Sequence, residues 1–172
     1  MMRCFIAIDV PHNISIQLRE LQKQFENLAS ITLPNVFHLT MKFLGDISEK
    51  QLEEIKINLK KVKFKPFELE LTTIGSFPND QRINVLWVGV NPAEKVIELQ
   101  REVEKNLDGF AKDLRFYPHI TIGRVKFVKN KERLRALLTT KVDGMFRAES
   151  FKLIKSELLS DGPNYTVLEI FS

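Results

Sequence analysis

Two stretches of this sequence echo each other: FHLTMKFLG, beginning at Phe37, and YPHITIGR, beginning at Tyr117. Each sets a histidine two residues ahead of a threonine inside an apolar run. His38 and His119 lie 81 positions apart in a chain of 172 residues, close to half its length. The residues leading into them keep step. One apolar strand passes through Cys4, 34 residues before His38, and another begins at Val85, 34 residues before His119. A repeat this long does not suit a stacked solenoid and predicts two similar lobes that face each other.

Hydrophobic periodicity fills in the repeat. Arg3 to Asp9 reads as a strand, and Ile14, Leu18, Leu21, Phe25 and Leu28 recur at helical spacing from Asn13 to Leu28. Phe37 to Leu44 is a strand ended by Gly45. Ser48, with Gln51 three residues on, is a capping box opening a helix lined by Leu52, Ile55, Leu59 and Val62. Phe67 to Ile74 alternates as a strand. The order then begins again. A strand covers Val85 to Val90, and Asn91-Pro92 starts a helix carrying Val96, Leu99, Val103 and Leu107. Pro118 to Val125 forms the second histidine-bearing strand, NKERLRALL a short helix, and Phe146 to Leu158 and Tyr165 to Phe171 the closing strands. Strands alternating with helices favour a mixed arrangement with sheets covered on one face.

The composition, 44% apolar and 28% charged, is that of a folded globular chain. No Gly/Ser-rich or Pro-rich tract divides it. One domain over residues 1–172 is expected, its lobes matching the sequence halves of roughly 1–80 and 81–172. No apolar run approaches the ~18 residues of a membrane span, and MMRCFIAIDV meets Asp9 too early for a signal peptide. Cys4 is the only cysteine, which excludes an intrachain disulfide and a cysteine-based zinc site. A cytoplasmic protein without membrane association is expected. The formal charge of +4 suits a polyanionic partner such as RNA, although much of it sits on helical faces such as KINLKKVKFK.

In a strand, residues two apart share a face. His38 and Thr40 therefore stand together, with Phe37, Leu39, Met41 and Phe43 on the other side. His119 and Thr121 are likewise opposed by Ile120 and Ile122. The apolar parity faces the core, so both histidines are expected to face away from it. Two such faces meeting across a groove suit phosphoryl or phosphodiester transfer. With an ordinary pKa near 6.5, one imidazole can be neutral and take a proton while the other is charged and gives one. Threonine hydroxyls beside them can bond the non-bridging phosphate oxygens. Arg124 can add a bidentate contact to phosphate. Simple alternation puts Arg124 on the wrong side, but Gly123 before it can bulge the strand and re-aim the side chain. Lys42, of the same parity as His38, reads as a solvent-facing lysine with a rim contact to phosphate as the alternative. His12 reads as a helix-capping or surface residue. Three scattered histidines make no metal cluster, and neither a phosphate-binding glycine loop nor a nucleophile elbow is present. Acid–base work by two histidines, without metal or cofactor, is the chemistry left.

The paired HLTMKFLG and HITIGR resemble the motifs of the two-histidine (2H) phosphoesterases, and more narrowly of the LigT-type RNA 2′,3′-cyclic phosphodiesterases, also called 2′-5′ RNA ligases. The likeness covers nearly the whole chain. RCFIAID is similar to the family's first strand, FPNDQRINVLWVGV to its middle strands and SELLSDGPNYTVLEIF to its closing hairpin. ITLPNV departs from the tryptophan-containing segment common in the family. The resemblance implies an α+β fold, bilobal by pseudo-twofold duplication. Each lobe would be a mainly antiparallel sheet with helices on its outer face, and the active cleft would lie between them. It implies metal-free hydrolysis of a terminal RNA 2′,3′-cyclic phosphate to a 2′-phosphate by a monomer. The substrates would be RNA ends, tRNA fragments among them, or cyclic nucleotides. His38 and His119 carry over as the catalytic pair, and Thr40, Thr121 and Arg124 as the phosphate-binding residues. His119 is taken to activate water and His38 to protonate the leaving 3′ oxygen; the sequence leaves the reverse open. Phe77 is a candidate for stacking on a base. The rival functions are 2′-5′ ligation at the same site and a non-catalytic RNA-binding module.

Overall fold

The computed structural model describes all 172 residues. Nine strands and four helices follow in the order β1 (Met2–Asp9), α1 (His12–Gln22), β2 (Ala29–Thr32), β3 (His38–Ile47), α2 (Glu49–Leu59), β4 (Phe67–Pro78), β5 (Ile83–Asn91), α3 (Ala93–Lys105), β6 (His119–Val128), α4 (Lys131–Leu137), β7 (Met145–Ala148), β8 (Phe151–Leu159) and β9 (Gly162–Phe171). Neighbouring strands pair antiparallel in one sheet ordered β7-β4-β5-β6-β3-β1-β8-β9, with β2 also on β6. Only Glu149 and Ser150 separate β7 from β8, yet β7 is one edge of this order and β8 is next to the other. Three Cα steps span at most about 11 Å. The sheet must therefore curl until its two ends approach.

The histidine-bearing strands β3 and β6 are neighbours at the waist of the sheet. On one side lie β1, β8 and β9; on the other lie β5, β4 and β7. The sequence halves are thus interleaved, since β4 pairs with strands of the second half and β8 with β1 of the first. The helices cross over too, α1 packing against β6 and α3 against β3. Their apolar stripes, Ile14 and Leu18 on α1 and Val96, Leu99 and Val103 on α3, join a single core cluster of 37 residues that includes Leu39 and Ile120. No helix is long and apolar enough to cross a membrane.

Several boundaries differ from the sequence reading. The first helix stops at Gln22, and Phe25 and Leu28 keep their spacing through successive three-residue turns. Ala29–Thr32 then forms a strand that periodicity alone does not reveal, because its partner is β6, almost a hundred residues on. Gly45 does not end β3; it takes the left-handed conformation, φ +71°, inside a bulge opposite Cys4 and Phe5. The capping box at Ser48 and Gln51 is present as expected. Pro92 occupies the cap of α3 instead of its first turn. The apolar run from Phe146 to Leu158 breaks after Ala148 into two strands at opposite sides of the sheet order.

Candidate active site

Leu39 of β3 pairs with Ile120 of β6, the one register pair joining the two motif strands, and both residues are fully buried. Antiparallel pairing then places His38 across from Thr121, and Thr40 across from His119, on the face away from the core. All four are half-buried, between apolar neighbours that are buried. His38 and His119 are then diagonal to each other, and in a regular ladder diagonal partners have Cα atoms about 7–8 Å apart. The topology thus brings the two His-Thr pairs to one face of the waist.

Both strands bulge just beyond the threonine. Ala7 pairs with Thr40 but Ile6 with Lys42, so Met41 is the extra residue on β3. Trp87 pairs with Thr121 but Leu86 with Gly123, so Ile122 is the extra residue on β6. The two bulges occupy the same position of the repeat. A bulge reverses the side-chain parity that follows it. Arg124 is thereby returned to the side of His119 and Thr121, as the glycine before it suggests. The same device overturns the reading of Lys42, which is neither solvent-facing nor at the cleft rim. It is 7% exposed and its Nζ donates to Glu104 Oε1 of α3 at 2.6 Å. Phe43 in turn is 65% exposed, not on the core side.

The rings differ in their surroundings. His119 Nδ1 lies 2.7 Å from the Tyr117 carbonyl oxygen. A carbonyl only accepts, so Nδ1 carries the proton and the neutral ring keeps its lone pair at Nε2. Burial lowers the pKa of His119 and the nearby Arg124 charge lowers it further, outweighing the opposing effect of the Tyr117 bond. Phe77 meets the ring edge-on at 4.9 Å, and Trp87 lies at 6.2 Å. On the other strand, His38 Nε2 is 3.9 Å from Asp9 Oδ1, and Asp9 also pairs with Lys152. Burial lowers the His38 pKa; Asp9 opposes that by favouring the charged ring, and Lys152 reinforces it, with a net lowering. Tyr165 and Phe5 close around His38 edge-on at 4.9 and 5.3 Å. Burial raises the Tyr165 pKa while Arg124 pulls it down. The same arginine therefore acts on His119 itself and on a neighbour of His38, across the waist.

The sequence reading singled out the histidines, threonines and Arg124 but missed Asp9, Lys152, Tyr165 and Trp87. Asp9 carried a usable signal, a carboxylate at the end of an apolar strand, but its register opposite His38 is long-range. Lys152 and Tyr165 come from the far end of the chain and have no local signature. Phe77 lies against His119 and Trp87.

Paired His-x-Thr strands, joined at the waist of a duplicated antiparallel sheet, define a two-histidine phosphoesterase architecture. The chain belongs to the LigT like phosphoesterase family, whose model matches residues 8–87 and again 88–165. It is 38% identical to an RNA 2′,3′-cyclic phosphodiesterase of Methanocaldococcus jannaschii, covering 98% of this chain and 99% of that one. An RNA 2′,3′-cyclic phosphodiesterase of Archaeoglobus fulgidus is 32% identical over 99% of both chains. Among solved structures, a protein of Thermus thermophilus superposes with a TM-score of 0.84 at 28% identity, covering 99% of this chain and 97% of that one. Apo LigT of E. coli shares the fold at a TM-score of 0.80 and 23% identity, covering 99% and 96%.

Proposed function

We propose that this protein hydrolyses the 2′,3′-cyclic phosphate at the end of an RNA chain, leaving a 2′-phosphate and a free 3′ hydroxyl. The names of the relatives support that substrate. The observation that carries the mechanism is the opposite electrostatic setting of two rings on one face. His119 sits beside a cation, with its lone pair at Nε2, and so favours the neutral ring. His38 has the Asp9 carboxylate close to Nε2 and so has a partner for the charged ring. His119 Nε2 takes a proton from water as the water oxygen bonds to phosphorus. The P–O3′ bond breaks, and O3′ takes the proton of His38. Solvent then resets both rings. Each transfer contributes about 10²–10⁴ in rate. Thr40, Thr121 and Arg124 bond the non-bridging oxygens, where charge grows in the transition state. One chain supplies both motifs, so a monomer suffices, and the lone buried Cys4 suits the reducing cytoplasm.

The test is phosphorus NMR of a short RNA ending in a 2′,3′-cyclic phosphate, incubated with the protein in EDTA. A 2′-phosphate signal should grow, and His38→Ala and His119→Ala should each slow it by about 10²–10⁴. A 3′-phosphate product, or turnover indifferent to both substitutions, overturns the proposal. The plot of kcat/KM against pH should be a bell. It rises as His119 loses its proton and falls as His38 loses its own. Burial lowers both groups, so the maximum falls below pH 6.5.

A further inference from the structure

Beyond the bulge at Ile122, β6 continues as RVKFV, from Arg124 to Val128, and KNK leads from it into α4. Val125 and Val128 pack against the core, opposite Ile31 and Ala29 of β2. Arg124 and Phe127 pair with Thr32 and Ser30 and take the other side. That is the side of His119 and Thr121, so the cleft face extends along the strand past the phosphate site. From Arg124 to Phe127 is roughly 10 Å at about 3.3 Å per residue. Phe127 is 59% exposed and stacks on no other aromatic ring, and Lys126, Lys129 and Lys131 make no ion pair.

The duplication supplies an internal comparison. Within the strands, the positions 81 residues earlier, equivalent to Arg124, Lys126 and Phe127, hold Phe43, Gly45 and Asp46, and Glu49 opens α2 where Lys131 opens α4. Lys50 faces Glu54, and α2 follows with Glu49, Glu53 and Glu54. Both arms carry an exposed phenylalanine, Phe127 on one and Phe43 on the other, but the first arm is cationic while the other is neutral to acidic. A polyanion leaving the cleft is drawn along the first and not the second.

We infer that the β6 arm, through Lys126, Phe127 and Lys129, binds the RNA strand upstream of the cyclic phosphate, Phe127 stacking on a base and the lysines meeting phosphates. This rests on the cyclic phosphodiesterase reading. The chemistry fixes the direction. A 2′,3′-cyclic phosphate closes the 3′ end, so the rest of the strand leaves from the 5′ oxygen of the terminal ribose. Aromatic stacking between cationic side chains is the usual means of holding single strands without reading sequence.

The experiment compares 2′,3′-cyclic AMP with a short RNA carrying the same terminus, for the wild type, Phe127→Ala, Lys126→Ala/Lys129→Ala, and a charge-matched control, Lys61→Ala/Lys63→Ala. Phe127→Ala and the β6 lysine pair should each raise KM for the RNA by about tenfold. Both should leave kcat, and all constants for the mononucleotide, within twofold. The lysine pair should also flatten the salt dependence for RNA by about one unit of slope. Phe127→Tyr should restore the RNA value. Equal losses on both substrates, or an equal loss in the control, overturn the inference. Anisotropy with a labelled RNA ending in a 3′-phosphate reads the same subsite without turnover. If neither substrate is hydrolysed but this affinity still falls about tenfold in the β6 variants and not in the control, the activity reading fails and the subsite stands.

Discussion

The buried Lys42–Glu104 pair is the most consequential feature of the fold that periodicity could not supply, and replacing Lys42 by methionine tests it. Lys42 and Glu104 are 7% and 9% exposed. Lys42 Nζ also donates to the Ala111 carbonyl, and Glu104 Oε1 accepts the Asp113 N–H at 2.8 Å. Three segments meet there: β3 two residues past Thr40, the last turn of α3, and the chain leading into His119. Burial alone would raise the Glu104 carboxyl, but hydrogen bonds from Lys42 and Asp113 and the Lys42 charge hold it below its ordinary value of 4.5. Lys42→Met strands that carboxylate, and breaking a buried pair from one side costs about 3–5 kcal/mol. Total stability is commonly about 5–15 kcal/mol, so the loss is severe yet measurable in urea. In Lys42→Met/Glu104→Gln no charge remains and the amide oxygen can still accept from Asp113. That variant should lose only about 1–2 kcal/mol, for the missing bonds. The sign with pH follows. A depressed carboxyl contributes stability that is complete above 4.5 and lost as pH falls through the folded value. In Lys42→Met the same carboxyl is raised, and protonation relieves it, so its deficit should shrink between about pH 7 and about pH 4. A deficit under about 1 kcal/mol at neutral pH, or one unchanged in acid, refutes this reasoning.

Asp9→Asn removes the charge that favours protonated His38, so the alkaline limb of the pH–rate bell should move to lower pH, whereas Lys152→Met should move it up; a limb fixed in both would contradict the role given to Asp9. Gly75→Ala drives a Cβ into the Trp87 ring, an overpacking worth about 1–3 kcal/mol. Trp87 is the only tryptophan, so its fluorescence in urea reports the loss directly, and an unshifted midpoint would show that the ring can move aside.

How much was legible follows the range of the interactions. The helices and most strands were readable because a 3.6- or 2-residue period is a local property, and the capping box of Ser48 and Gln51 lies within a single turn. The two His-Thr faces were readable for the same reason, with the duplication as internal control. What failed was set at a distance. β2 is a strand only because β6 lies beside it. Lys42 is buried only because the bulge at Met41 turns it toward Glu104, 62 residues on. Gly123 hinted at the equivalent bulge on β6, and the hint was right for Arg124. On β3 the same position is Lys42, which gives no such hint.

The duplication builds the geometry twice, and the departures from symmetry divide the labour. Each motif strand carries its bulge in the same place, so each lobe presents a histidine and a threonine in the same way. The residue across from the histidine then differs. His38 faces Asp9, and His119 faces Gly89. No larger residue fits at Gly89 without displacement, since a Cβ there would lie 2.5 Å from Thr72 Oγ1. One ring is therefore given a carboxylate and the other is denied one. Past the bulge the second lobe presents Arg124 where the first has Phe43, which puts the cation beside His119, the ring given the neutral role in the proposed mechanism. A symmetric pair would titrate alike, and neither ring would be committed to giving or taking a proton. In this arrangement Asp9 and Arg124 favour opposite charge states of the two rings, and the same asymmetry continues along β6 as the cationic arm. Removing both settings together, by Asp9→Asn with Arg124→Gln, should therefore cost more than the sum of the two single losses on an additive scale. Additive effects on kcat/KM would mean that the two histidines are tuned independently.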